Sequence, residues 1–168
     1  MKNSNFGLKS LLGIVVLTLL VGVWVAPAAA APPDEQDYSG LKYGLKRALL
    51  QVDALQDYID FAQANAELIE EFIQDEQDKG FDTSALEAAL NELQAKIGEA
   101  QTLHAAAAQT LDEKAGFDEN GEVVDPQQAR DTLENAHHSM QDARQTLLRA
   151  QQDFRQALRD YRQGKRDQ

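Results

Sequence analysis

Two histidines and two aspartates are the residues of this 168-residue chain that come nearest to a metal site. His104 and His137 lie on neighbouring predicted helices, and antiparallel pairing of those helices places them at one height. Asp57 and Asp60 lie at the same height on a third helix. Two imidazoles and a carboxylate can bind zinc, copper or iron. The alternative is that His104 is a half-buried core residue and His137 is solvated, and the chain contains no HExxH motif to favour the metal.

The acidic loop at 118–125 is a second candidate cation site. A calcium loop of the EF-hand type needs glycine at its sixth position and glutamate at its twelfth. Here Gly121 is the fourth residue from Asp118, and no glutamate fits the twelfth position. A turn between two helices explains the same residues, with Asp125 as the N-cap and Pro126 as the first helical residue. The turn is therefore the preferred interpretation.

Side chains that could carry out catalysis are scarce. The chain has no cysteine, which excludes thiolate nucleophiles, disulfides and cysteine-ligated metals. After the first thirty residues its only serines are Ser39, Ser84 and Ser139. No glycine-rich phosphate loop is present. We therefore predict a protein that is not an enzyme and binds no cofactor.

The elements that would position these residues are predicted to be three long helices. From Leu41 onwards, apolar residues recur at alternating steps of four and three, which is the heptad pattern of helices packed lengthwise. The predicted helices cover residues 41–79, 84–115 and 126–163. Short connections between them make neighbours antiparallel. The predicted fold is all-α, an elongated antiparallel up-down-up three-helix bundle with coiled-coil-like packing over residues 41–164.

Local signals set the ends of these helices. Gly80 is expected in the left-handed conformation that terminates the first helix. Ser84 and Glu87 have the spacing of a capping box at the start of the second. Gly116-Phe117 repeats the Gly-Phe pair at residue 80 and ends the second helix. The sequence therefore predicts tight turns at both connections.

A group of large apolar residues widens the apolar face of the first helix beyond a narrow seam. Its members are Tyr58, Phe61, Leu68 and Phe72. One interpretation is that this helix contacts both of the others, which requires a broad face. The functional alternative is an exposed patch that docks an unknown protein partner or mediates self-association. We regard this patch as the candidate interaction surface.

Charge excludes some partners and favours one topology. The chain has 28 acidic and 16 basic residues, a net charge of −12, so nucleic acid is not an expected partner. The first helix ends in acidic residues between Glu67 and Asp78, whereas the third ends in arginines between Arg144 and Arg162. An up-down-up bundle brings these two ends together, where the arginines would offset the acids.

The first thirty residues have the features of a secretory signal peptide. Lys2 and Lys9 precede an apolar run at 11–25, and Ala28-Ala29-Ala30 provides small residues for cleavage after Ala30. Residues 31–40 would follow as a disordered segment. Cleavage leaves 14 basic and 28 acidic residues, a net charge of −14. The alternative is an uncleaved anchor, which would be the only membrane contact. Both interpretations predict an extracytoplasmic protein.

Two segments resemble known proteins. The stretch at 80–90, GFDTSALEAAL, and the stretch at 116–125, GFDENGEVVD, resemble small secreted α-helical bacterial proteins with no assigned activity. The resemblance covers residues 41–162 and implies an all-α fold and export. The architecture is also similar to that of Spy/CpxP-type periplasmic chaperones, although their LTxxQ motif is absent from this chain.

These observations lead to one expectation about function and two alternatives. We expect an exported, non-enzymatic helical bundle with an interaction or structural role in the cell envelope. One alternative is an extracytoplasmic metal-binding protein that uses His104 and His137. The other is a Spy/CpxP-like periplasmic chaperone that binds clients through the patch around Phe61 and Leu68.

Overall fold

The computed structural model describes residues 37–166 of the chain. Within that range the regular secondary structure consists of three α-helices, α1 (Ser39–Asp78), α2 (Ser84–Glu113) and α3 (Pro126–Arg166). Helices α1 and α3 have 40 and 41 residues, so each is about 60 Å long. Contacts of α1 with both other helices fix the directions as up, down and up. The predicted all-α three-helix bundle is confirmed.

The core is formed by one apolar stripe from each helix. Its largest fully buried side chains are Leu55, Ile59, Leu86, Leu111 and Leu147. Helix α3 contributes alanines at every seventh position, and those small side chains let it approach α2 closely. The fully buried alanines of α3 are Ala129, Ala136 and Ala143. As a result α2 and α3 pack most extensively, and α1 and α3 pack least.

The helix ends differ slightly from their predicted positions. Helix α1 begins at Ser39, two residues before the predicted start, so Ser39 and Gly40 are helical and not part of a disordered segment. Helix α2 ends at Glu113, two residues early. Helix α3 continues to Arg166, three residues further than predicted. Each difference is less than one helical turn.

The first connection contains one confirmed prediction and one error. Gly80 has φ +83°, the left-handed conformation expected there. The predicted capping box of Ser84 and Glu87 is wrong, because the N-cap is Thr83, one residue earlier. The Thr83 hydroxyl donates to Glu87 Oε1 over 2.7 Å. Ser84 donates both its amide and its hydroxyl to Asp82 Oδ1 instead.

The second connection is a compact turn built on two aspartates. Asp125 Oδ1 accepts hydrogen bonds from the amides of Gln127 and Gln128 at 2.9 and 3.1 Å, as predicted for an N-cap. Asp118 Oδ1 in the same way accepts two amides of its own loop. The carboxylate oxygens at Asp118 and Asp125 thus bind backbone donors, which fits the interpretation as a helix–helix turn.

The predicted leader 1–30, its cleavage site after Ala30 and the alternative anchor lie outside the described residues. Across residues 37–166, none of the helices has the length and apolar character needed to cross a membrane.

Candidate interaction groove

Three of the four residues predicted to form an interaction surface are exposed on α1. Phe61 and Leu68 each leave 62% of their surface accessible, and Phe72 leaves 36%. The fourth, Tyr58, is half-buried against the core, and its hydroxyl donates to Gln151 Oε1 on α3 over 3.0 Å. Tyr58 therefore belongs to the contact between α1 and α3, as the broad-face interpretation requires. The exposed surface is formed by the other three.

These exposed residues border a groove between α1 and α3. Phe61, Leu68 and Phe72 line its α1 side, Leu158 lies on the α3 side, and Leu93 of α2 contributes from below. The groove encloses about 460 Å³. That volume falls in the range of sites that hold a small ligand or the side chains of a docked helix. The groove exists because α1 and α3 are the least tightly packed pair.

Contacts between α1 and α3 lie at both ends of the groove. At one end lies the hydrogen bond from Tyr58 to Gln151. At the other, Phe72 and Tyr161 pack edge to face with ring centroids 6.5 Å apart. Beyond that ring pair the Tyr161 hydroxyl donates to Glu76 Oε2 over 2.6 Å. The groove is thus the apolar interval between two fixed points of contact.

Glu76 is the centre of a charged cluster at this end of the bundle. It is buried with 5% of its surface exposed, and it accepts hydrogen bonds from Lys165, Tyr161 and Lys79. Those bonds, the one from Lys165 most strongly, lower the pKa of Glu76 to about 2. Burial, and then the bond to Glu76, raises the pKa of Tyr161 to about 12. Lys165 also lies 3.7 Å above the Phe81 ring centroid.

The predicted meeting of the acidic end of α1 with the basic end of α3 is confirmed, but the predicted pairing with arginines is wrong. The carboxyl-terminal ends of α1 and α3 do meet, but the cation that pairs with α1 is Lys165 and not an arginine. Among the ion pairs of residues 37–166, none involves an arginine of α3. Arg155 and Arg162 lie instead on the α3 side of the groove. Their guanidinium groups add positive charge to a site whose walls are mainly apolar.

Sequence reasoning missed the cluster at Glu76, although a signal for it was present. The buried stripe of α1 runs through Ala66, Ile69 and Ile73, and the next step of three reaches Glu76. An acidic residue at a position of the buried apolar stripe predicts a buried carboxylate with hydrogen-bond or ion-pair partners. The charge pattern alone treats Glu76 as one of the acidic residues between Glu67 and Asp78 that arginines of the third helix would offset.

The four predicted metal ligands are not at one height, because the axial alignment of the helices differs from the one predicted. His104 Nε2 donates to the Val52 carbonyl over 3.1 Å, and Val52 lies five residues before Asp57 and eight before Asp60, the residues predicted at the level of His104. His137 is exposed and lies beside Ala48 of α1. Asp60 accepts a hydrogen bond from Gln56 over 2.6 Å, and Asp57 is exposed.

Over the described part of the chain, no three or more side chains of the histidine and carboxylate type are grouped as metal ligands. Metal binding through His104, His137, Asp57 and Asp60 stays a prediction that the geometry does not favour.

Comparison with known proteins adds nothing to the structural description. No protein-family model matches the chain, no curated protein matches its sequence, and no solved structure matches its fold significantly.

Proposed function

We propose that this protein is an exported, non-enzymatic helical bundle that acts in the cell envelope by binding a protein partner. The binding face consists of Phe61, Leu68, Phe72 and the groove beside them. The observation that carries this proposal is the exposure of Phe61 and Leu68, each at 62%, on a helix with a complete core on its other side. Burying a leucine or phenylalanine side chain contributes about 1.5–3 kcal/mol, so a partner that covers both gains a substantial driving force.

The chemistry of the groove supports binding over catalysis. Its walls consist mainly of aliphatic and aromatic side chains, with two amides, Asn65 and Gln151, and the guanidinium groups of Arg155 and Arg162. None of these groups is a nucleophile or a general base at neutral pH. They can instead orient a partner by hydrogen bonds and by charge while the apolar walls supply affinity.

The location in the cell envelope is supported by the sequence of the first thirty residues. Lys2 and Lys9, the apolar run at 11–25 and the alanines at 28–30 follow the order of a secretory signal peptide. Expression in a bacterium tests this directly. The chain should be recovered outside the cytoplasm with a mass that corresponds to a start at Ala31.

Photo-crosslinking in the exporting cells tests the binding face. A photoreactive phenylalanine analogue at position 61 or 68 should form a discrete adduct on irradiation. The matched control is position 124, because Val124 is 68% exposed but lies in the connection between α2 and α3. Adducts at 61 and 68 but not at 124 are the expected result. If all three positions give no adduct, or all give the same products, Phe61 and Leu68 do not form a specific binding face.

A further inference from the structure

Four of the exposed large apolar residues of α1 lie on a single line along the helix. Tyr43, Leu50, Phe61 and Leu68 have exposed fractions of 68%, 71%, 62% and 62%. They are separated by seven, eleven and seven residues. At 3.6 residues per turn, these separations keep all four within about 20° of one direction. We call these four residues the outer stripe.

The outer stripe faces away from the bundle along the amino-terminal half of α1 and borders the groove beside α3 at Phe61 and Leu68. Val52, which is buried in the core, lies nine residues after Tyr43 and two after Leu50, and therefore about half a turn from both around the helix. Helix α1 thus carries two apolar seams, one that packs against α2 and α3 and one that no described element covers. A second seam at near-heptad spacing is what a further helix packed lengthwise requires.

The spacing of seven, eleven and seven residues in the outer stripe reads the same from either end of α1. Tyr43 and Leu68 are equidistant from the midpoint between Leu55 and Gln56, and so are Leu50 and Phe61. If a second α1 lies antiparallel with its midpoint at the same place, Tyr43 faces Leu68 of the second copy. Leu50 then faces Phe61 of the second copy. All four residues of each stripe are paired at once, as an isologous interface demands.

We propose that the partner of this face is a second copy of the same chain, bound with its α1 antiparallel about a two-fold axis near Leu55 and Gln56. This inference rests on the proposed function, since Phe61 and Leu68 belong both to the binding face and to the outer stripe. It adds the identity of the partner, the direction of the helices and their register.

The charges of α1 favour the antiparallel direction. Its basic residues, including Lys46 and Arg47, are in the amino-terminal half, whereas Glu67, Glu70 and Glu71 are in the carboxyl-terminal half. Antiparallel packing places the basic half of each α1 beside the acidic half of the other, whereas parallel packing would bring like charges together. Neither Lys46 nor Glu67 forms an ion pair within the described residues. Both are therefore available for a contact between copies.

Asp53, Asp57 and Asp60 lie on one flank of α1 near the axis and oppose the proposed pairing, Asp57 most directly. Asp57 lies close to the line of the outer stripe between Leu50 and Phe61, and the proposed register places it opposite Ala54 of the second copy. A carboxylate next to an apolar side chain near the axis weakens association, because it loses water without gaining a partner. Replacing Asp57 should therefore tighten the dimer. A surface unrelated to α1 pairing would not respond in this way.

Sedimentation equilibrium of the exported chain tests self-association. The mass of the wild type should rise from one to two chains with concentration. Phe61→Glu should raise the dimer dissociation constant about thirtyfold or more, as for a central interface residue. Val124→Glu should leave it unchanged, and Asp57→Ala should lower it. A single-chain mass at every concentration, or a dimer that Phe61→Glu leaves intact, overturns the proposal. Circular dichroism verifies that each variant keeps its helices.

Cysteine pairing tests the direction and register, because the chain has no cysteine of its own. In Leu50→Cys/Phe61→Cys, the two thiols of one chain are about 16 Å apart along the helix and cannot join. Across the proposed axis, however, each faces its counterpart. Oxidation should give a covalent dimer from the double variant and not from either single variant. A covalent dimer from Leu50→Cys alone means that the helices are parallel, which overturns the proposal.

The mass of the photo-crosslinked adduct separates this inference from the proposed function. An adduct at position 68 with twice the mass of the exported chain supports both. An adduct of another mass, with a single-chain mass in sedimentation, overturns the second copy as partner but leaves the binding face standing. The absence of any adduct overturns the proposed function, and a dimer dissociation constant that Phe61→Glu does not change overturns the inference by itself.

Discussion

The hydroxyl of Tyr161 donates a hydrogen bond to Glu76 Oε2 over 2.6 Å, which joins the ends of two helices across 85 residues of sequence. The same tyrosine packs its ring against Phe72 at the edge of the groove. Because Lys165 and Lys79 bind the same carboxylate, one buried acid organises three donors. The carboxyl-terminal end of the bundle therefore depends on Glu76 more than on the contacts of any exposed acid nearby.

We expect Glu76→Gln to lower the melting temperature by several degrees at pH 7. The amide keeps the size of the side chain but removes the charge that binds two lysines. Hydrogen bonds to a charged group contribute more to stability than neutral ones, so their loss at a buried site lowers stability most. Asp75→Asn is the matched control, because Asp75 is the adjacent acid and is exposed. Thermal unfolding followed by circular dichroism measures both. Equal melting temperatures for the two variants would contradict a special role for Glu76.

The pH dependence of stability follows from the same pair. The pKa of Glu76 is about 2 in the fold against 4.5 for the free side chain, so its contribution is present above pH 4.5 and is lost as the pH falls towards 2. The pKa of Tyr161 is about 12 against 10, so its contribution is present below pH 10 and is lost as the pH rises towards 12.

Denaturant titrations across pH 2–12 measure the free energy of unfolding as a function of pH. The resulting curve has an acid limb and an alkaline limb, which can be tested separately. Glu76→Gln should flatten the acid limb between pH 4.5 and 2 relative to the wild type. Tyr161→Phe should flatten the alkaline limb between pH 10 and 12. If either variant retains the slope of the wild type in its own window, the corresponding residue does not cause it.

Much of the fold was predictable because the heptad pattern acts over many residues. Ile59, Leu86 and Leu147 are buried where the four-three spacing places them, and the N-cap at Asp125 follows from its own type and the proline after it. The error at Ser84 arose because two adjacent hydroxyl residues compete for the N-cap position. Thr83 and Ser84 are both good caps, but the Ser84 hydroxyl donates to Asp82, and the Thr83 hydroxyl is the one that binds Glu87.

The candidate site was less predictable, because it depends on register and on spacing between helices. The apolar residues on α1 were visible in the sequence, but the groove beside them arises from the looser packing of α1 against α3. The position of His104 depends on the axial offset between α1 and α2, and the true offset places His104 beside Val52 and not at the level of Asp57 and Asp60. Period alone does not determine such an offset.

Glycine substitutions provide a paired test of the second turn. Gly116 has φ +86°, and a Cβ added there would lie 2.1 Å from the Ala129 amide nitrogen. We expect Gly116→Ala to destabilise the protein by about 3 kcal/mol or more, because both the conformation and the space exclude a side chain. Gly98, by contrast, lies within α2 with open space around it.

Gly98→Ala should stabilise the protein by about 1 kcal/mol through the higher helix propensity of alanine. Urea unfolding of the two variants measures these opposite effects. A loss at Gly98 similar to that at Gly116 would mean that the turn geometry is not the cause.

Calorimetric titration with zinc and copper tests the metal hypothesis. His104 Nε2 carries the hydrogen that it donates to Val52, so this nitrogen has no lone pair free for a metal. Because neither histidine belongs to a group of three or more potential ligands within residues 37–166, we expect the heat of titration to be the same for the wild type, His104→Ala and His137→Ala. His104→Ala should instead reduce stability by about 1 kcal/mol through the lost hydrogen bond. Saturable binding that disappears in both histidine variants would restore the metal site, with His104 Nδ1 as a ligand while Nε2 continues to donate to Val52.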